Sequence, residues 1–178
     1  MPVSAADYPV HIRASRFHAA RPTRTGAAVT GDENQLQEDS MFQRILVAYD
    51  GSAPARKAYE VSLDLAKKYQ AEVHVLAVAR PPDFAEDVET EAALESAREH
   101  FGKQFGELES KAAHAGLKPH LRVVTGHPAE QVVRAAEQYH IDLIVLGHRG
   151  HGMFERWLLG SVSRTVIAYA PCAVMVVR

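Results

Sequence analysis

Residues 141–178 read IDLIVLGHRGHGMFERWLLGSVSRTVIAYAPCAVMVVR, and this stretch decides the fold. It opens on "IDLIVLG" (141–147), a near-continuous apolar run of strand length, the mark of a strand buried on both faces. Val162, Val166, Ile167 and Ala170 then recur at helical spacing, Pro171 stops that helix, and "CAVMVV" (172–177) is a second β run. Between strand and helix lie Gly147, Gly150, Gly152 and, just before Ser161, Gly160. Glycine loses more backbone entropy on folding than any other residue, so such a cluster points to unusual backbone angles or to close approach by something.

Working back toward the N-terminus, the same rhythm repeats. "RILVAYD" (44–50) is a strand that stops at Asp50-Gly51-Ser52, a turn signal. Ala58, Val61, Leu65 and Tyr69 follow at helical spacing, and "AEVHVLAVA" (71–79) is the next strand, ended by Pro81 and Pro82. A charged helix with one thin apolar stripe is expected over Glu86–Ala115, closed by Gly116. "HLRVVTG" (120–126) is a third strand, after which His127-Pro128 opens a helix through Tyr139. Strands alternating with helices predict an α/β fold, an open five-stranded parallel sheet of order 3-2-1-4-5 with helices on both faces. In such a sheet ligands bind outside the carboxyl ends of the strands where strand order reverses, here between the first and fourth strands.

Composition narrows the function. The chain has 178 residues and a formal net charge of −2, so there is no general basic surplus to attract nucleic acid. No run approaches the roughly 20 apolar residues that cross a bilayer, which predicts a soluble protein without a membrane partner. The single cysteine, Cys172, has no partner for an internal disulfide and fits a cytoplasmic location. Residues 1–40 lack an apolar period and carry Arg13, Arg16, Arg21 and Arg24 ahead of Asp32, Glu33, Glu38 and Asp39. They read as a disordered N-terminal extension to a folded unit at 41–178. Their front half also resembles an organellar transit peptide, and Met41 is an alternative start.

The predicted crevice is chemically coherent. Gly147, Gly150 and Gly160 leave room for backbone N–H groups to face inward. A helix starting at Ser161 presents free N–H groups and a positive dipole end, with Ser161 and Ser163 as hydroxyl donors and His148, Arg149 and His151 as neighbouring positive groups. Asp50 faces them as an acceptor for a ribose or base. Phosphate at one end and an acceptor at the other suggest a nucleotide. The histidines show no metal-ligand spacing and predict no metal site. There is no Gly-x-x-x-x-Gly-Lys-Ser/Thr, and no Gly-x-Gly-x-x-Gly after the first strand, which excludes the usual P-loop and dinucleotide sites.

The pattern Gly147, two residues, Gly150, nine residues, Gly160-Ser161 resembles the ATP-binding motif of the universal stress protein family. "ILVAYDGS" (45–52) is similar to that family's first strand and acidic turn, and the closing helix and strand are similar as well; the resemblance spans 41–178. It implies an adenine-nucleotide α-hydrolase-like, Rossmann-like domain that binds ATP with Mg²⁺ and forms a homodimer through the last strand, Cys172–Val177. It places Ala48, Asp50 and Val78 near ribose and base, and Gly147, Arg149, Gly150, Gly160, Ser161, Val162 and Ser163 on the phosphate loop. The expected role is a nucleotide-dependent regulatory module of the stress response with unidentified protein partners and no catalytic residue. Two alternatives stay open: a slow ATPase or phosphotransferase using Asp50 or His148, and an interaction module that needs no nucleotide.

Overall fold

The computed structural model describes residues 11–13, 41–80, 87–150 and 159–178. Its elements run β1 (His11–Arg13), β2 (Arg44–Ala48), α1 (Ala53–Tyr69), β3 (Glu72–Ala79), α2 (Asp87–His114), β4 (His120–Thr125), α3 (Pro128–Gln138), β5 (Leu143–Gly147), α4 (Ser161–Tyr169) and β6 (Ala173–Val177). They build one sheet of order β1-β6-β5-β2-β3-β4. The five strands β2 to β6 are parallel to one another and, taken in chain order, give the expected 3-2-1-4-5.

The extension departs from expectation at one place. His11–Arg13 pairs antiparallel with β6, with His11 opposite Val176, Ile12 opposite Met175 and Arg13 opposite Val174. A sheet edge offers unpaired backbone N–H and C=O groups, and three residues of almost any composition can use them. The other residues of 1–40, and the expectation of disorder there, lie outside the described residues.

Side chains alternate across the sheet and divide the core in two. Ile45, Val47, Val73, Val75, Leu143, Val145 and Met175 face α1 and α2, meeting Ala55, Ala58, Tyr59 and Leu63 of α1 and Phe101, Leu108 and Ala112 of α2. Leu46, Leu76, Ile144, Leu146, Val174 and Val176 face α3 and α4, meeting Val132, Ala135, Ala136 and Val166. The central strand β5 is buried at every position, as its unbroken apolar run requires. Fully burying such a side chain stabilises the fold by about 1.5–3 kcal/mol, so β5 is a main anchor of the domain.

Helix ends follow local chemistry. Ser52 caps α1, its hydroxyl accepting from the Ala55 N–H at 3.2 Å, with a proline in the first turn. The thin stripe expected on α2 is Phe101, Leu108 and Ala112. That helix closes through Gly116, which takes φ +75°, while the Leu117 N–H returns to the Ala112 carbonyl at 2.9 Å. The Tyr59 hydroxyl donates to the Leu108 carbonyl at 2.7 Å and ties α1 to α2. Burial, reinforced by Glu109, pushes the Tyr59 phenol up to about 12.

Cys172 lies buried at the entry to β6, and burial, with Asp142 adding to it, pushes its thiol up to about 11. Only the thiolate is nucleophilic, so at pH 8 the folded protein holds roughly one thiolate per thousand. The thiol is therefore expected to resist Ellman's reagent at pH 8 in the native protein and to react stoichiometrically in denaturant. Native reaction at the rate of free cysteine would contradict this placement.

Candidate functional site

The site begins where β2 ends. Past Ala48 the chain turns through Tyr49-Asp50-Gly51-Ser52, with Gly51 in the left-handed region at φ +81°. Asp50 Oδ1 accepts the Ser52 N–H at 3.0 Å, an Asx turn that fixes the carboxylate at the mouth of the sheet. Beside it β5 ends at Gly147, which is glycine for a packing reason. A Cβ there would stand 2.7 Å from Pro54 Cβ, 2.8 Å from the Pro54 carbonyl carbon and 3.0 Å from the Ala55 nitrogen, so the first turn of α1 sits directly on the strand end.

The loop after β5 is bound on both sides. The His148 N–H donates to the Val177 carbonyl at 2.8 Å, and the His148 carbonyl accepts the Gly160 N–H at 3.0 Å. Gly150 is packed against the Asp50 carboxylate so closely that a Cβ would overlap Oδ2. The carboxyl ends of β2 and β5 thus meet across the crevice where strand order reverses. Gly160 differs from its partners. Its φ of −58° suits any residue, and a Cβ would meet nothing nearer than the His148 oxygen at 3.5 Å. Protein packing does not demand glycine there.

Gly160 is the N-cap of α4 and, as glycine, brings no side chain of its own to cap that helix. The first-turn N–H groups therefore have no intrahelical acceptor and carry the positive end of the helix dipole. Ser163 is buried and its hydroxyl donates to the Gly147 carbonyl at 3.0 Å. Its donor is spent holding α4 to β5, so the pair of serine hydroxyls expected at this end reduces to the exposed Ser161. His148 is corrected too. Burial first, and Arg149 second, hold its imidazole below the usual value, which weakens the positive contribution expected of it. His151 and the segment around Trp157 lie outside the described residues.

These parts enclose a cleft of about 520 Å³. Of the residues singled out from the sequence, Ala48, Asp50, Val78, Gly147, Arg149, Gly150, Gly160, Ser161, Val162 and Ser163 line it, and His148 does not. The sequence reading missed a second group. Leu76, Val132 and Leu146 extend an apolar floor with Val78, Pro128 brings the start of α3 to the rim, and Arg80 adds a cation. Arg80 was legible in principle, since it directly follows β3 and so emerges at the carboxyl edge of the sheet. The floor residues were legible only as core. The result is an amphiphilic cleft, apolar on one side and lined on the other by uncapped N–H groups, one carboxylate and guanidinium groups. Such a surface suits a flat heterocycle joined to an anion.

The model of the universal stress protein family matches residues 41–178, all of the chain beyond the extension. A universal stress protein of Thermus aquaticus is 37% identical over 139 residues, covering 78% of this chain and 100% of that protein. Among solved structures, the universal stress protein UspA from Lactobacillus plantarum superposes with a TM-score of 0.70 at 26% identity, over 77% of this chain and 98% of that one. A universal stress protein in complex with cAMP has a TM-score of 0.57 at 23% identity, over 78% of this chain and 99% of that one, and bears on the fold alone. Family model, relatives and strand order agree with the glycine motif at the crevice: the chain belongs to the universal stress protein family.

Proposed function

We propose that this chain binds ATP with Mg²⁺ in the cleft between β2 and β5 and acts as a nucleotide-dependent regulatory module of the stress response. The observation that carries the reading is the uncapped first turn of α4 opening onto a cleft whose other side is apolar. Adenine lies on the floor of Leu76, Val78, Val132 and Leu146, and the ribose hydrogen-bonds Asp50. The phosphates take the N–H groups of Ser161, Val162 and Ser163, with Arg149 beside them. Mg²⁺ is held chiefly by substrate phosphates and one or two carboxylates. With Asp50 given to the ribose, phosphate oxygens and water would supply most of the ion's ligands, and the ion would neutralise phosphate charge. The free Cys172 is in keeping with a cytoplasmic home. No helix among the described residues is long and apolar enough to cross a membrane.

The module works by binding rather than by turnover. Among the described residues the cleft is lined by one carboxylate, Asp50, which this reading gives to the ribose, and by no histidine, so no separate group stands ready as a base toward an attacking water. Phosphate release from ATP with Mg²⁺ should stay at background. Turnover clearly above it, lost in Asp50→Ala while ATP still binds, would reassign the chain as a slow ATPase.

The same reading includes a homodimer formed along β6. Within one chain β1 occupies that edge, so two copies pair there only when β1 leaves. Proline at position 12 removes a backbone N–H and disfavours the ladder opposite Met175. Sedimentation of the full chain should therefore show Ile12→Pro shifted toward dimer relative to wild type. An unchanged or more monomeric distribution would count against pairing through β6.

A further inference from the structure

At the opposite end of the sheet from the cleft, β3 and β4 start side by side with His74 directly in register with His120. Registered residues of parallel strands project from the same face, and positions two apart on one strand share it. Glu72, His74 and His120 therefore meet on the face that carries Leu76. One donor atom from each lies within 4.8 Å of the other two.

His74 is the unusual member. Its side chain is only 8% exposed, sandwiched between the His120 ring at 4.7 Å and the Tyr139 ring at 5.6 Å. Its Nδ1 lies 3.3 Å from an Arg122 Nη1. A guanidinium can only donate, so that contact places the ring hydrogen on Nε2. Nε2 is buried and has no well-formed hydrogen bond; Glu72 Oε2 stands 3.5 Å away, at the limit of a useful one. A buried ring N–H left with so poor an acceptor is unfavourable, and coordination to an ion would remove the need for one.

We propose that Glu72, His74 and His120 form a binding site for a Zn²⁺-type divalent ion, with Arg122 competing for His74. Two imidazoles and a carboxylate are a borderline-soft donor set suited to zinc, and three protein ligands leave the fourth tetrahedral position to water. Tetrahedral zinc at about 2.0–2.2 Å from each ligand needs donor atoms about 3.3–3.6 Å apart. Glu72 and His120 are both exposed, so their side chains can rotate to close the remaining gap onto the fixed His74 ring. On binding through Nε2, the ring hydrogen moves to Nδ1 and Arg122 swings off it; no proton is lost overall. The Tyr139 ring, 4.3 Å from the guanidinium carbon, gives the displaced Arg122 an aromatic face to stay against.

The test uses the full chain, stripped with chelator and titrated with Zn²⁺ against a chromophoric competitor. Co²⁺ serves as a spectroscopic probe of tetrahedral geometry. One ion per chain is expected, weakened about tenfold or more in both Glu72→Gln and His120→Gln. Both changes are at exposed positions, and circular dichroism checks that each variant folds. Arg122→Ala should tighten binding several-fold by removing a competing donor and a positive charge. The chain contains ten histidines, so zinc held with the same affinity in His120→Gln would assign the ion elsewhere and overturn the proposal. Absence of saturable binding, or no effect of Arg122→Ala, would overturn it as well.

Discussion

Gly147→Ala is expected to lower stability by about 1–3 kcal/mol, the range that overpacking costs. The new methyl would meet Pro54 Cβ, the Pro54 carbonyl carbon and the Ala55 nitrogen at 2.7, 2.8 and 3.0 Å. Two of these are backbone atoms of a capped helix start and cannot rotate aside, unlike the tip of a long side chain. Relief requires α1 to lift from the end of β5, which disturbs the buried contacts of Ala55, Ala58 and Tyr59. In a protein of this size the loss corresponds to a fall in Tm of roughly 2–12 °C. Thermal unfolding followed by circular dichroism reads it directly. A variant with wild-type Tm would mean that α1 does not seat on Gly147.

Gly160→Asp should move stability and ligand affinity in opposite directions. Position 160 is an N-cap with φ −58° and ψ 151°, a conformation open to aspartate, and the space for a Cβ is ordinary contact. An aspartate there can accept from the first turn of α4 and complement its dipole, raising stability by a few tenths to about 1 kcal/mol. The same carboxylate takes the N–H groups that would hold phosphate and places a negative charge against it. At about 4 Å and an effective dielectric near 20, like charges repel by about 4 kcal/mol. Affinity for ATP should therefore fall at least about a hundredfold while Tm holds or rises. Gly160→Ala, which caps nothing and adds no charge, should leave Tm near wild type. Unchanged ATP affinity in the aspartate variant would remove α4 from the binding site.

Much of this architecture was legible in the residues. The unbroken apolar run at 141–147 required a strand covered on both faces, and alternation with amphipathic helices left a parallel sheet as the solution. Element ends shifted by a residue or two because a flanking residue such as Tyr49 continues the apolar pattern past the last residue of the strand. The crevice followed from strand order, and the chosen residues do line one cleft. Their individual reasons were less legible. Gly147 read as backbone freedom, yet it answers to Pro54 from the next helix; Ser163 read as a ligand donor, yet its hydroxyl is spent on Gly147.

What escaped the sequence depends on pairing rather than on pattern. His11–Arg13 has no period of its own and becomes a strand only because β6 presents an edge. Glu72 and His74 are remote in sequence from His120, and no ligand-spacing rule links them; register alone brings them together. In each case a long-range contact decides the role, and local sequence carries none of that information.

The central claim is that the cleft takes ATP through the first turn of α4. Calorimetric titration of the full chain with ATP and Mg²⁺, after any nucleotide already bound has been removed, tests it most directly. The account predicts saturable binding of one ATP per chain, lost in Gly160→Asp. No heat at two temperatures, from protein verified as folded and nucleotide-free, would contradict it.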